Sequence, residues 1–214
     1  MSDNEVFAAV MNQLPDASIP GYSPLHHADL ESLAKQGPQQ GGVHLREHAL
    51  LGHLVLRCNP ENPEHLAGAE RVLGVALPLQ PMSSVTAGNV SVLWTSPDEW
   101  VIMVPGLEAF DYETKFRAEM AGHYSLVNVS GGQTLVEVSG ANVVDMLKKS
   151  TPLDFDLSVF PVGKVAGTVF AKAGAVVRRT GEDRFEMIIR RSFADYLWLW
   201  LQDASREYGL VIEA

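Results

Sequence analysis

His44 and His48 stand four residues apart, the spacing at which two imidazoles on one helix face can hold zinc, and His53 and His65 follow. The stretch runs directly into an alternating apolar pattern, which favours packed or solvated histidines over a metal site. His26 and His27, beside Pro24, read as a solvated or interface pair. The single cysteine, Cys58, lies in apolar strand context with no neighbouring His, Lys or helix N-terminus to lower its pKa, so packing outweighs a nucleophilic role. Arg178-Arg179 and Arg190-Arg191 form a small basic cluster that could hold an anionic ligand or a partner carboxylate. Solvated strand-end charges are the reading favoured there. No Gly-x-Gly-x-x-Gly follows a strand, and neither a Gly-x-x-x-x-Gly-Lys-Ser/Thr loop nor a Gly-x-Ser-x-Gly elbow occurs. These residues therefore name no catalytic, cofactor-binding or metal side chain.

Composition narrows the partners. The chain has 214 residues, 46% of them hydrophobic, which is ample for a packed core. Its formal charge of −10 opposes binding to nucleic acid or to an anionic membrane surface. One cysteine excludes an intramolecular disulfide and a cysteine zinc cluster and fits a reducing compartment. The acidic start Met1-Ser2-Asp3-Asn4-Glu5 lacks the basic character of a secretory signal, and no apolar run reaches the roughly 20 residues of a bilayer span. A cytoplasmic protein is expected.

Whatever chemistry or contact these residues support must be positioned by the elements around them. Residues 1–42 read as an arm: Asp3 caps a short helix whose Val6, Phe7, Val10, Met11 and Leu14 share one stripe before Pro15, and Ser23-Pro24 opens a second helix through Leu25, Leu30 and Leu33. From Val43 the period changes to two, with Leu54, Leu56 and Cys58 alternating against Val55 and Arg57. A helix from Asn62-Pro63-Glu64, strands at 88–94 and 100–104, and a polar helix at 108–120 follow. Then a strand pair flanks the Gly131-Gly132 turn, a helix spans 141–149, strands fall at 165–170, 175–179 and 184–190, and a last helix starts at Phe193. Ser96-Pro97-Asp98-Glu99 feeding Trp100-Val101-Ile102-Met103 has the same form as Asp183-Arg184 feeding Phe185-Glu186-Met187-Ile188. The expectation is an α+β fold of two intertwined, internally duplicated strand-helix-strand halves, 43–122 and 123–214, with mainly antiparallel sheets.

In the last helix, Ser192 and Asp195 have the spacing of a capping box, and Phe193, Leu197, Trp200, Leu201, Ala204 and Tyr208 form the stripe assigned to the core. Leu199 falls outside it among Asp195, Asp203 and Arg206, with Trp198 on the flank. An off-stripe tryptophan beside an off-stripe leucine is what a protein contact uses. Phe7, Val10, Met11, Leu14, Trp198 and Leu199 are thus the candidate partner interface.

LWTSPDEWVIM (93–103), LVNVSGGQTLVEVSG (126–140), LKKSTPLDF (147–155) and RRSFADYLWLWL (190–201) resemble the gamma subunit of heterotetrameric sarcosine oxidase over most of the chain from about Val43. The resemblance implies the fold of the folate-binding domain of the glycine-cleavage aminomethyltransferase. Where those relatives carry a Gly-Ile-Val-Asp-Asp type strand, the matching stretch here is Gly174-Ala175-Val176-Val177-Arg178-Arg179, so arginines stand in place of the acids. A guanidinium cannot accept a proton, which argues against folate chemistry in this chain. The resemblance further implies a non-catalytic structural subunit of a cytoplasmic flavoenzyme of sarcosine catabolism and one-carbon metabolism, binding no cofactor itself. Alpha, beta and delta partner subunits would hold FAD, FMN, NAD, zinc and tetrahydrofolate. The complex would convert sarcosine, oxygen and water to glycine, formaldehyde (or methylenetetrahydrofolate) and hydrogen peroxide. An independent folate-dependent one-carbon transferase and a folate-binding regulatory module are the alternatives.

Overall fold

The computed structural model describes residues 20–213. After a short helix α1 (Leu30–Gln36) the elements run in an order that occurs twice. The first series is β1 (Val43–His48), β2 (Gly52–Arg57), α2 (Pro63–Leu73), β3 (Ser84–Ala87), β4 (Val90–Ser96), β5 (Glu99–Val104) and α3 (Ala109–Glu119). The second is β6 (Ser125–Asn128), β7 (Gln133–Ser139), α4 (Val143–Lys148), β8 (Val165–Phe170), β9 (Ala173–Gly181), β10 (Arg184–Arg190) and α5 (Ala194–Ser205), closed by β11 (Leu210–Glu213). The strands form a five-stranded sheet, β3-β4-β5-β2-β6, and a six-stranded sheet, β8-β9-β10-β7-β1-β11. Place for place the second sheet copies the first and adds β11, which pairs in parallel with β1. The leading strand of each series lies in the other series' sheet: β1 pairs with β7, and β6 with β2. The halves are intertwined by exchange of those two strands.

Alternation along each strand creates the layers. On β5, Trp100, Ile102 and Val104 join Leu54, Leu56 and the helix residues Ala69, Leu73 and Phe116, while Val101 and Met103 face the other sheet and meet Leu135, Val165 and Ile188. On β10, Phe185, Met187 and Ile189 pack toward α4 and α5, and Ile188 toward the five-stranded sheet. The order is therefore helices, sheet, sheet, helices, with apolar contacts filling each gap. Trp100, fully buried, donates its indole N–H to the Pro78 carbonyl at 2.8 Å, so its polar handle is satisfied inside the core.

Local chemistry explains the boundaries. Asn62 accepts from the Glu64 N–H at 3.0 Å, Pro63 occupies the first helical turn, and Gly74 ends α2 at φ 70°. The Asp98 turn is held by Ser96, whose hydroxyl donates to the Asp98 carboxylate at 2.9 Å, and by Arg57, which donates to it at 2.9 Å. The turns at Asp98 and Asp183 feed β5 and β10, which occupy equivalent third places in their sheets. The strand pair expected around Gly131-Gly132 is corrected, because it is not a hairpin. A 3₁₀ turn, Ser130–Gly132, carries the chain from β6 in one sheet to β7 in the other, where each strand finds its buried neighbours.

Candidate functional site

The start of α5 differs from the capping box expected at Ser192. A 3₁₀ turn, Arg191–Phe193, precedes the helix, so Ser192 lies inside that turn and makes no cap, and Asp195 instead pairs with His27 at 2.8 Å. The apolar stripe also points elsewhere than expected. Trp198 is 6% exposed and belongs to the core cluster with Leu197, Leu201 and Ala204, so the expectation that it leaves the core is corrected. Phe193, assigned to that core, is exposed, and Trp200 is half-buried with its indole N–H donating to Ser150 Oγ at 3.0 Å. Leu199 is 57% exposed. Phe193, Tyr196 and Leu199, three residues apart in turn, make the outward apolar face of this segment. Tyr196 escaped the sequence reading, although its spacing from Leu199 was legible. Phe7, Val10, Met11 and Leu14 lie outside the described residues.

Arg191 joins this face to a second apolar tip. Its guanidinium donates to the Gly131 carbonyl at 2.6 Å and the Tyr22 carbonyl at 2.7 Å. Beside them Leu50 adopts φ 57°, a left-handed conformation costly for leucine, and holds its side chain in solvent. A methyl at Gly21 would lie 3.7 Å from the Leu50 side chain, and one at Gly106 would strike the Leu50 carbonyl at 1.8 Å, which places the fully displayed Leu107 next to it. Pro24, Leu50, Leu51, Gly106, Ser130, Gly131, Gln133 and Arg191 line a small cleft of about 110 Å³ between them. Tyr22, Leu50, Leu107 and Phe193, all exposed, thus stand around Arg191 and the Leu50 turn, large apolar groups suited to a protein partner.

Of the four arginines at 178–179 and 190–191, Arg190 at the end of β10 and Arg191 are exposed, as expected of solvated strand-end charges, whereas the other two are not. Arg178 and Arg179 are both buried. Arg178 Nε donates to Glu186 at 2.8 Å and Nη1 to Thr86 Oγ1 of the other sheet at 3.0 Å, so this ion pair lies between the sheets. Arg179 turns to the opposite face, where Nη1 donates to the Phe155 and Phe160 carbonyls at 2.9 and 2.8 Å and Nη2 to the Glu182 carbonyl, with the guanidinium stacked 4.9 Å over Phe185. Both are committed to the fold, and neither presents a proton acceptor that could serve a bound folate.

Cys58 lines an open cleft of about 580 Å³ with Arg57, Asp98, His123 and Tyr124. Burial, reinforced by the Asp98 charge, pushes its thiol up to about 11, which leaves it protonated and unreactive near neutral pH. The histidines are dispersed on strands and helices: His44 bonds Glu213 at 2.8 Å, His48 lies 3.4 Å from Glu137, and His65 bonds the Ala121 carbonyl at 3.1 Å. His53 is enclosed with neither ring nitrogen bonded. Among the described residues no three His, Cys, Asp or Glu side chains converge as metal ligands.

A duplicated pair of exchanged-strand sheets with helices outside is the fold shared with aminomethyltransferases. The glycine cleavage system aminomethyltransferase T of Bartonella henselae superposes with a TM-score of 0.64 over 89% of this chain and 58% of its own, at 13% identity. The sequence profile of the sarcosine oxidase, gamma subunit family matches residues 57–207, and the chain belongs to that family. The sarcosine oxidase subunit gamma of Corynebacterium sp. (strain P-1) is 31% identical over 92% of this chain and 96% of its own length. That of an Arthrobacter species is 30% identical over 87% and 91%. A chain of the heterotetrameric sarcosine oxidase from Corynebacterium sp. U-96 is similar with a TM-score of 0.78, at 26% identity over 87% of this chain and 95% of that one.

Proposed function

We propose that this chain is a non-catalytic structural subunit of a heterotetrameric sarcosine oxidase. Its likeness to gamma subunits over nearly their whole length is the observation that carries this reading. The commitment of Arg178 and Arg179 to packing supports it, because a strand that could have carried catalytic acids serves to join the sheets and anchor the 155–160 loop. In this reading alpha, beta and delta subunits hold FAD, FMN, NAD, zinc and tetrahydrofolate. The assembly oxidises sarcosine with oxygen and water to glycine, formaldehyde and hydrogen peroxide, or passes the carbon to tetrahydrofolate as methylenetetrahydrofolate. This chain contributes surface and rigidity, with Leu199 and the Tyr22, Leu50, Leu107 and Phe193 tip as contacts. We place the assembly in the cytoplasm; no helix of the described residues is long and apolar enough to cross a membrane.

Co-expression with the products of the neighbouring genes tests the proposal. The chain should co-purify in a flavin-coloured complex with sarcosine-dependent peroxide formation, and be colourless and inactive when expressed alone. Yellow, active protein from this chain alone would overturn the structural role.

A further inference from the structure

The outer edge of β8 is unlike the other sheet edges. β8 pairs with β9 through its even-numbered residues, so the odd-numbered ones point their N–H and C=O groups outward. Two of these are taken. Val165 N–H donates to the Met82 carbonyl at 2.8 Å, and Ala171, just past the strand, donates to the Ser150 carbonyl at 2.6 Å. Between these clamps, among the described residues, no backbone group pairs with Gly167 or Val169, and the Val169 carbonyl receives no more than the Thr168 hydroxyl at 3.3 Å. The remaining edges are guarded: α1 packs beside β11, and β3 and β6 are four residues each, with Ser84 bonded to the Gly163 carbonyl and Asn128 to Glu113. Natural sheets blunt an open edge with charge, proline or a cover, and Val165-Ala166-Gly167-Thr168-Val169-Phe170 has no charge and no proline.

The ground beside this edge is flat and apolar. Val169 is 54% exposed opposite Gly174, Gly167 is opposite Val176, and a methyl at Gly167 or Gly174 would meet nothing within 4 Å. Four of the chain's six lysines fall between residues 148 and 172, and the exposed Lys148 and Lys172 flank the Ser150–Ala171 clamp. In a chain of net charge −10 these lysines outnumber the two acids of the same stretch, Asp154 and Asp156, although Lys149 is already paired with Glu207. From these observations we infer that the β8 edge receives an extended segment of another subunit of the assembly, adding a strand opposite Gly167–Val169 with small or apolar residues over the Val169–Gly174 surface and a carboxylate meeting Lys172 and Lys148. The inference rests on the subunit reading above and goes beyond it by naming the surface and the chemistry of what covers it.

Amide-resolved hydrogen exchange in the co-expressed complex is the decisive measurement. The Gly167 and Val169 amides should be protected there, as Ala166 and Thr168 are by β9, and should exchange rapidly in the chain purified alone. Val169→Pro deletes an outward N–H and spares the β8–β9 ladder, so it should lower the yield of complex about tenfold. Lys172→Glu should weaken assembly most at low salt. A complex whose Gly167 and Val169 amides exchange at unpaired rates, or a Val169→Pro chain that assembles in wild-type yield, overturns the inference while the subunit reading stands. If the wild-type chain enters no complex, both fall.

Discussion

At the scale of single residues, the buried polar groups show how little freedom the interior leaves. Arg178 is accommodated between two sheets because Glu186 and Thr86 meet it there, and removing one partner of such a pair costs far more than the pair contributes net. His53 has no such compensation. Enclosed without a partner for either ring nitrogen, it is driven by burial from the usual 6.5 down to about 4. The unfolded chain therefore takes up the proton first as the pH falls. Stability from neutral His53 is complete above about pH 6.5, declines below it and levels off near pH 4, a loss of up to about 3 kcal/mol. Urea titrations of wild type and His53→Leu between pH 7 and 4 should separate this contribution from the carboxylates, with the variant losing less stability over the interval. Equal pH slopes in both proteins would refute the assignment.

At the scale of elements, α5 divides its two neighbouring large side chains between opposite tasks. Trp198 fills the core against the six-stranded sheet, and Leu199 stands in solvent. Trp198→Ala should cost about 3–5 kcal/mol of unfolding free energy in chemical denaturation. Leu199→Ser should stay within about 0.5 kcal/mol in that assay and reduce instead the amount of chain recovered with its partners. A destabilised Leu199→Ser with normal assembly would return Leu199 to the core. The difference from the sequence reading is one of direction about the helix axis: the buried positions are Ala194, Leu197, Trp198, Leu201, Ala204 and Ser205, a stripe turned toward Trp198 and away from Phe193 and Trp200.

At the scale of the whole molecule, exchange of β1 and β6 makes each half depend on the other. β1 sits between β7 and β11, and its Val43 and Leu45 are buried in the core beneath α4 and α5. Cut between residues 122 and 123, the second fragment lacks an interior strand and the first carries β1, with Val43 and Leu45, and no sheet for it to join. Circular dichroism should show the fragments 43–122 and 123–214 poorly folded when separate and folded when mixed, and the intact chain should unfold in one cooperative step. A native-like spectrum from either fragment alone would contradict the interdependence.

The sequence by itself determined the elements whose cause is local: α2 between Asn62 and Gly74, the alternation of β2 and β5, and the matched turns at Asp98 and Asp183 that announced the duplication. These follow from capping, backbone conformation and period, which neighbours in the chain dictate. The resemblance carried by its motifs also supplied the family. Tertiary structure alone decided that β6 and β7 enter different sheets, that Arg178 and Arg179 are interior, that Trp198 is core and that the edge of β8 is open. Each of these depends on which distant segment lies against a residue, and burial and pairing are properties of the contact, to which residues remote in sequence contribute as much as the residue itself.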